Sequence, residues 1–243
     1  MDRYEFFSGL PRTEPGGTIF TSAYLSFVQL QRSDRILDLR TGTGERAVWI
    51  CRSRVGEVVA VDQDPRFCRL AQSHALDGGT GGRMQAVCAR YNALPFSDES
   101  FSLVIAEWAP ITLGLKASLQ LWRRLVPVGG LLAISYPGVV NRDAPKEVRG
   151  PIELRMAEPM ATLNDYQSTA RSLGYEMVHQ ATLGHHLWQN FYADTTRRAW
   201  ALAGRDENNV SGAIRSILDE ANWYRNIGRG RVFLQSMLLR RTR

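Results

Sequence analysis

Lysine is almost absent from this chain. Lys116 and Lys146 are its two lysines, so the net charge of +6 comes almost entirely from arginine. The arginines are scattered along the sequence, with a denser group only near the C-terminus. We interpret them as a solvated surface and do not expect a nucleic-acid partner.

Cysteine is scarce as well. The chain has three cysteines, Cys51, Cys68 and Cys88, which is an odd number. They lie far apart in sequence and lack the spacing of metal ligands. Such usage is typical of buried thiols in a reducing compartment. We therefore predict a cytoplasmic protein without a metal site.

Long apolar runs are missing too. No run approaches the ~20 residues that a membrane-spanning helix needs. The first residues lack the basic segment and apolar core of a secretion signal, so we expect none. With 44% hydrophobic and 22% charged residues, the 243-residue chain has the composition of a soluble globular enzyme with no membrane contact.

One stretch of the chain indicates a ligand. Ile36-Leu-Asp-Leu-Arg-Thr-Gly-Thr-Gly44 predicts a strand, a tight turn and a helix start. Gly42 and Gly44 allow the backbone to turn sharply and approach a ligand closely. Asp62 closes the next apolar run, twenty residues after Gly42. A carboxylate at that strand tip can accept hydrogen bonds from both hydroxyls of a ribose, so we predict a nucleoside-containing ligand.

Strands and helices alternate along the chain. We predict strands at 35–39, 57–61, 84–88, 102–107, 131–136, 175–182 and 232–239, and helices at about 18–31, 45–54, 65–77, 114–126, 160–173, 190–204 and 207–226. Residues 137–158 are predicted as a loop or small insertion. This spacing indicates βαβ units and a mainly parallel sheet whose strand tips share one edge.

Two classes of nucleoside ligand fit the glycine turn. Gly42-Thr-Gly-Glu-Arg-Ala47, followed by Asp62, also matches the dinucleotide pattern, which keeps an NAD-type oxidoreductase open. Asp38, at the tip of the first strand, argues against it. A carboxylate there would repel a pyrophosphate but suits a ligand that carries an ammonium or a sulfonium.

Four segments, in this order, resemble the class I S-adenosylmethionine-dependent methyltransferases: Ile36–Gly44, Val59–Asp62, Ala93–Phe96 with Ser100–Ile105, and Leu125–Gly130. The resemblance covers most of the chain and is closest to the small-molecule enzymes of this class. It implies an α/β, Rossmann-like doubly wound fold with a mainly parallel seven-stranded sheet, an antiparallel last strand and a helical cover. It also implies S-adenosylmethionine as the cofactor and a small organic molecule as the methyl acceptor.

The resemblance implies one methyltransferase-like domain over residues 1–243. We expect an N-terminal arm and helix at 1–33, a cofactor-binding half at 34–136 and a substrate-side half at 137–243. A helical insertion at 190–228 is interpreted as a cover over the ligand edge. This insertion leaves open a homodimer or a heteromeric partner.

The resemblance also implies the site residues. Asp38, Gly42 and Gly44 are expected to face the amino-acid end of the cofactor, Asp62 its ribose, and the segment at Arg90 its adenine. The predicted cofactor-binding residues are Asp38, Arg40, Gly42, Gly44, Asp62, Gln63, Arg90, Tyr91, Asn92 and Glu107. Glu107 and Trp108 are expected at the end of the fourth strand, beside the methyl group.

Two arginines depart from the family pattern. Arg40 stands where the family usually has a third glycine. It either turns outward or pairs locally, at a backbone cost of about 1 kcal/mol, or it fills space that the cofactor needs. Arg90 stands where an acidic residue commonly accepts the adenine amino protons, and arginine can only donate. These departures leave open a catalytically inactive, methyltransferase-like regulatory or partner subunit.

Methyl transfer needs a base only if the acceptor must lose a proton. The candidates for this role are Glu107, His185 and His186, although a histidine pair after a glycine is also typical of an exposed loop. The candidates for an apolar acceptor pocket are Trp108, Tyr136, Trp188 and Tyr192. Each of these aromatic residues is also typical of ordinary packing.

Overall fold

The computed structural model describes residues 1–53, 56–204 and 211–243. Within these residues, seven strands form one sheet in the order β3-β2-β1-β4-β5-β7-β6. The strands are β1 (Arg35–Leu39), β2 (Glu57–Asp62), β3 (Met84–Cys88), β4 (Leu103–Glu107), β5 (Leu131–Val139), β6 (Tyr175–Thr182) and β7 (Val232–Arg241).

The sheet is parallel except at its last strand. β1 pairs parallel with β2 and β4, β2 with β3, and β4 with β5. β7 lies between β5 and β6 and runs antiparallel to both. The order of the strands reverses between β1 and β4, which is where sheets of this type bind ligands. The predicted fold class is therefore confirmed.

Helices cover both faces of the sheet. They are α1 (Arg3–Phe7), α2 (Thr18–Leu25), α3 (Glu45–Ser53), α4 (Pro65–Asp77), α5 (Leu115–Trp122), α6 (Lys146–Glu153), α7 (Leu163–Ser172), α8 (His185–Leu202) and α9 (Gly212–Trp223). Alternate strand residues pack into different cores, with Leu37 and Val59 on one face and Ile36 and Val58 on the other. Burial on both faces explains the nearly continuous apolar runs of β1, β2 and β4.

Two predicted element ends were wrong. The helix predicted at 18–31 ends at Leu25, where the chain turns toward β1 and Asp34 accepts a hydrogen bond from the Gln31 amide. β5 continues through Pro137 to Val139, because pairing with β7 holds this part of the chain extended. The loop or small insertion predicted at 137–158 contains a short helix, α6, which has a kink at Gly150.

The helical insertion also begins earlier than predicted. α8 starts at His185 instead of residue 190, and the second of the two predicted helices, at 207–226, is seen as α9 from Gly212. Its predicted start at 207–210 lies outside the described residues. None of the helices in the described ranges is long and apolar enough to cross a membrane.

Candidate functional site

The glycine turn after β1 is held tightly by its neighbours. Gly42 and Gly44 have φ angles of 56° and 83°, in the left-handed region that favours glycine. A Cβ on Gly44 would lie 2.8 Å from the Cα of Ala71 on α4, so α3 begins in close contact with that helix. The Gly42 amide donates a 3.0 Å hydrogen bond to Oδ2 of Asp62. The turn therefore brings the ends of β1 and β2 together.

Asp62 is the carboxylate that the sequence predicts for the ribose. It ends β2 and is 3% exposed. Its Oδ1 accepts a 3.1 Å bond from the Asp64 amide, and its Oδ2 accepts the bond from Gly42. Each carboxylate oxygen has a second lone pair, so Asp62 retains the capacity to accept hydroxyl protons.

Asp38 and Glu107 share one cation, Arg46 of α3. Nε of Arg46 lies 2.7 Å from Oδ1 of Asp38, and Nη1 lies 3.1 Å from Oε2 of Glu107. Glu107 also accepts hydrogen bonds from the hydroxyls of Thr21 (2.6 Å) and Tyr24 (2.7 Å). Three adjacent elements, α2, α3 and β4, therefore meet at this carboxylate.

Burial dominates the electrostatics of this group. It raises the pKa of Asp38, although the neighbouring Arg46 opposes the shift. Burial also raises the pKa of Tyr24, and the nearby carboxylate of Glu107 adds to the rise. Oδ2 of Asp38 and the hydroxyl of Thr41 are buried and make no hydrogen bond of ordinary geometry among the residues that the structure describes, although Thr41 lies close enough to lower the pKa of Asp38. An acceptor without a donor is suited to bind the ammonium group of a ligand.

The glycine turn is covered by residues 11–17, which we call the arm segment. The Thr43 hydroxyl donates a 2.5 Å hydrogen bond to the carbonyl of Pro11, and the Trp108 indole donates a 2.9 Å bond to the carbonyl of Pro15. A Cβ on Gly42 would lie 2.9 Å from Cγ2 of Thr13. The arm segment thus lies directly against the turn that is expected to approach the cofactor.

Arg40 pairs with the arm segment. It has a φ of 60° and forms an ion pair with Glu14, which also lies 3.6 Å from Nη2 of Arg3. Burial raises the pKa of Glu14 most strongly, but the guanidinium groups of Arg40, Arg155 and Arg3 together outweigh it and lower the pKa of the carboxyl. Of the two alternatives for Arg40, the structure shows a local pair, and its partner covers the glycine turn.

The space left at the turn is small. A hollow of about 40 Å³ remains between the arm segment and the glycine turn, and we call it the arm hollow. Pockets for ligands of this size class measure roughly 300–1,000 Å³. The free acceptor of Asp38 and the carboxylate of Asp62 fit the polar groups of S-adenosylmethionine. S-adenosylmethionine is larger than the arm hollow, so it can bind there only if the arm segment moves.

The predicted adenine segment contains both exposed and buried residues. Arg90 and Asn92 are exposed, whereas Tyr91 is 4% exposed and its carbonyl accepts a 2.9 Å bond from the Trp122 indole. Gln63, which is also predicted to bind the cofactor, follows β2 and is exposed as well. Burial raises the pKa of Tyr91, and the nearby Asp62 carboxylate adds to the rise. The structure thus places Tyr91 beside Asp62 and leaves Arg90 toward solvent.

The predicted histidines do not meet Glu107. His185 begins α8 and its Nδ1 lies 3.0 Å from the Tyr224 hydroxyl, in a separate cavity of about 350 Å³. Burial, with the charge of Arg229, lowers the pKa of His185. His186 is exposed. Glu107 is therefore the predicted catalytic candidate that the structure places at the arm hollow.

The aromatic candidates are divided among several places. Trp108 lines the arm hollow and lies 6.0 Å from Trp188, measured between ring centroids. Trp188 lies between Trp108 and Tyr192, and the ring centroids of Trp188 and Tyr192 are 6.1 Å apart. Tyr136 is fully buried and donates a 3.1 Å hydrogen bond to Glu158. The structure therefore brings Trp108 and Trp188 together and leaves Tyr136 in the core.

Sequence reasoning missed three charged residues of this region. They are Glu14, Arg3 and Arg46. Glu14 of the arm segment pairs with both Arg3 and Arg40. Arg46 pairs with the carboxylates of β1 and β4. Arg46 belongs to the quoted glycine motif, two residues after Gly44, so its position on the first turn of α3 was an available signal. No sequence spacing points from Arg40 to Glu14, 26 residues earlier.

Fold and site together define a Rossmann-like protein of the methyltransferase type. Residues 36–130 match a family model described as a methyltransferase domain. These residues include all four segments that resemble the class I S-adenosylmethionine-dependent methyltransferases. The match supports the predicted methyltransferase class and its cofactor, S-adenosylmethionine, over the NAD-type alternative.

Similar proteins include other methyltransferases. YodH, an uncharacterized methyltransferase of Bacillus subtilis, is 27% identical over 186 residues, which cover 75% of this chain and 78% of YodH. The ubiquinone/menaquinone biosynthesis C-methyltransferase UbiE of Yersinia enterocolitica is 32% identical over 111 residues, which cover 44% of each protein.

A similar fold is found over nearly the full length of solved structures. The S-adenosylmethionine-dependent methyltransferase from Geobacter sulfurreducens, solved in complex with S-adenosyl-L-homocysteine, matches with a TM-score of 0.81. The match covers 98% of both chains at 19% identity. At this identity the likeness concerns the fold.

Proposed function

We propose that this protein binds S-adenosylmethionine and transfers its methyl group to a small organic molecule. The observation that supports this most directly is the pair of carboxylates, Asp38 and Asp62, on either side of the glycine turn at the ends of neighbouring strands. A cavity of about 350 Å³ beside the helical cover has the size of a site for a small molecule.

Each carboxylate has a distinct part in holding the cofactor. Oδ2 of Asp38, which makes no hydrogen bond of ordinary geometry in the described chain, would accept the ammonium group of the methionine moiety, and Asp62 would accept the ribose hydroxyls. When bound, S-adenosylmethionine supplies an electrophilic methyl group on a positively charged sulfur. The task of the protein is then to align an acceptor atom with that group and to exclude water.

Binding of S-adenosylhomocysteine tests this proposal. We expect calorimetry to detect binding by the wild-type protein, and saturation at 100 times the dissociation constant to stabilise the fold by about 2.7 kcal/mol. Asp62→Asn, which keeps a carbonyl oxygen for the Gly42 amide, should weaken binding at least tenfold, or about 1.4 kcal/mol. Glu57→Gln, at the opposite end of β2, is the matched control. Unchanged affinity in Asp62→Asn would show that the ribose assignment is wrong.

A second candidate function is a partner subunit without activity. The ion pair of Glu14 with Arg40 over a hollow of about 40 Å³ favours it. If neither the wild-type protein nor Arg40→Gly binds S-adenosylmethionine or S-adenosylhomocysteine, the catalytic proposal fails and this candidate replaces it. If Arg40→Gly binds one of these compounds and the wild-type protein does not, the side chain of Arg40 is the cause of the lost binding.

A further inference from the structure

A second cavity lies next to the arm hollow. It measures about 220 Å³ and is bounded by α1, the arm segment, the C-terminal end of α6, α8 and α9. We call it the Phe191 cavity. Thr13 and Glu14 line both this cavity and the arm hollow. A molecule in the Phe191 cavity is therefore separated from the expected cofactor site by two side chains of the arm segment.

The walls of the Phe191 cavity are mainly apolar and aromatic. Phe7, Leu154, Phe191 and Ile217 form them. The rings of Phe7 and Phe191 are nearly parallel, with an angle of 9° between their planes and 6.4 Å between their centroids. Flat faces of this kind favour an aromatic ligand, which can stack in an offset arrangement.

Several polar side chains also line the cavity, among them Thr195, Ser216 and the carboxylate of Glu220. Oε1 of Glu220 accepts a 3.1 Å hydrogen bond from the Tyr192 hydroxyl and lies 3.0 Å from Nη2 of Arg155. Both contacts use the same oxygen, so Oε2 of Glu220 is left to bind a ligand proton. The Glu220 side chain is 15% exposed, which places the carboxylate in a largely dry site.

The charges around the Phe191 cavity are already paired. Arg155 offsets Glu220, and Arg40 and Arg3 offset Glu14. A cationic amine would meet Arg155, and a carboxylate would meet Glu14 and Glu220, so each would enter against a charge of its own sign. An uncharged ligand avoids both penalties.

We propose that the Phe191 cavity is the acceptor site and takes a flat, uncharged aromatic molecule with a weakly acidic hydroxyl group, a phenol, whose proton Glu220 accepts. This proposal rests on the proposed function. In the transfer, the hydroxyl oxygen forms the new bond to the methyl carbon, the carbon–sulfur bond breaks toward sulfur, and the hydroxyl proton passes to Glu220. One positive sulfonium and one carboxylate thus become a neutral thioether and a neutral carboxylic acid.

The environment of Glu220 suits a proton acceptor. Burial raises the pKa of its carboxyl, and the Glu14 charge adds to the rise, whereas Arg155 and the Tyr192 hydroxyl oppose it. A raised pKa brings a carboxylate closer to the range in which general bases work near neutral pH. The charged and titratable groups that face Glu220 are therefore Arg155, Tyr192 and Glu14.

Four nitroaromatic probes test the substrate class. 4-Nitrophenol, 4-nitroanisole, 4-nitrobenzoate and 4-nitroaniline share one chromophore and differ in the group that would face Glu220. We expect 4-nitrophenol to bind at least tenfold more tightly than the other three, with and without S-adenosylhomocysteine. Equal binding of all four, or no binding of 4-nitrophenol, would overturn the proposal. Calorimetry with S-adenosylhomocysteine alone reports separately on the proposed function.

The ionisation of bound 4-nitrophenol tests the role of Glu220. The negative carboxylate should raise the pKa of the bound phenol, so that visible absorption by the phenolate appears at higher pH than in water. Glu220→Gln should remove this rise, and Glu220→Asp should restore part of it. Glu176→Gln, on the exposed face of β6, is the control. An identical titration in Glu220→Gln and wild type would contradict the assignment.

A cavity-filling variant makes the location testable without altering Glu220. Ile217→Trp should abolish 4-nitrophenol binding by occupying the Phe191 cavity, while S-adenosylhomocysteine binding stays within about twofold of wild type, roughly 0.4 kcal/mol. If Ile217→Trp binds 4-nitrophenol normally, the phenol site lies elsewhere and the proposal fails.

Discussion

Arg40 shows how one residue connects the glycine turn to the N-terminal arm. In place of the glycine that the family usually has, it adopts a φ of 60° and reaches Glu14. The left-handed backbone costs about 1–2 kcal/mol in a residue with a side chain. The ion pair opposes that cost and holds the arm segment over the site.

The affinity of the site should therefore depend on Glu14. A ligand that binds only the open form has an apparent affinity reduced by the fraction of molecules that are open. Glu14→Gln weakens the contact with Arg40, so we expect S-adenosylhomocysteine to bind about three- to tenfold more tightly, or roughly 0.7–1.4 kcal/mol. Isothermal titration calorimetry measures this change, with Glu176→Gln as the control for loss of an exposed glutamate.

Hydrogen exchange gives an independent measurement of the same contact. In Glu14→Gln without ligand, amides of residues 10–17 should exchange several-fold faster, while those of β1 and β4 should not change. Weaker ligand binding in both Glu14→Gln and Arg40→Gly would show that the pair belongs to the ligand-bound form instead.

Arg46 is expected to stabilise the fold more than a surface arginine does. Its removal leaves Asp38 and Glu107 buried without their shared cation, and breaking a buried pair in this way costs about 3–5 kcal/mol. We predict that Arg46→Met loses this amount in urea denaturation. Arg142→Met, which breaks a pair on an arginine that is 72% exposed, should change stability by less than about 1 kcal/mol.

The loss in Arg46→Met should depend on pH. Burial already raises the pKa of Asp38, and removal of the nearby cation raises it further. A carboxyl whose pKa is raised in the folded state contributes stability at low pH and loses it as pH rises through that pKa. The variant should therefore be less destabilised at about pH 5 than at about pH 8. A pH-independent loss would point to lost packing of the arginine side chain.

Side chains that follow a strand tip were predictable, and their distant partners were not. Asp38, Gly42, Gly44 and Asp62 lie together because parallel strands end at one edge of the sheet. Glu14 comes from a polar segment with no periodic pattern, so only the folded chain shows its contact with Arg40.

At the scale of elements, the start of α3 depends on its contact with α4. A Cβ on Gly44 would meet the backbone of Ala71 at 2.8 Å, whereas a Cβ on Gly79 would meet nothing within 4 Å. Both glycines have a positive φ. Gly44→Ala should thus combine backbone strain with overpacking and lose about 2–4 kcal/mol, while Gly79→Ala should lose about 1 kcal/mol. Urea denaturation of the two variants measures the difference in their free energy of unfolding. Equal losses would show that α3 and α4 can move apart at little cost.

Local sequence signals predicted the elements of the cofactor-binding half better than those that follow. The apolar runs of β2 and β4 end in Asp62 and Glu107, β1 is followed by the glycine turn, and Pro65 begins α4 as expected. β5 continues through Pro137 and Gly138 because β7, almost 100 residues later, pairs with them. Pairing partners at such separation leave no local signal in the sequence.

At the scale of the whole molecule, three separate parts of the chain meet at the candidate site. The arm segment covers the glycine turn, the ends of β1, β2 and β4 supply the carboxylates, and the cover helices α8 and α9 enclose the Phe191 cavity. The cover was predicted as extra helices over the ligand edge. Its internal arrangement was not, because aromatic residues such as Trp188 and Tyr192 are equally compatible with packing and with binding.

The arm hollow has a composition that bears on ligand choice. Among the described residues, its charged lining consists of Arg12, Arg40 and Arg46 with Glu14, Glu45 and Glu107, so the formal charges cancel. Asp38 and Asp62 are assigned to the ammonium group and the ribose, which both forms of the cofactor carry, so the balanced lining of the hollow gives a sulfonium no advantage over the uncharged thioether that remains after the methyl group has left. We expect the two forms to bind with dissociation constants within about threefold, or roughly 0.7 kcal/mol, and with little dependence on salt.

If the two dissociation constants are this similar, the thioether product competes strongly with the sulfonium cofactor for the site. The turnover of the enzyme in a cell would then follow the ratio of the two more than the amount of either. A hydrolase that removes the thioether should accelerate the reaction in a test tube, and no acceleration would show that the hollow distinguishes the two after all.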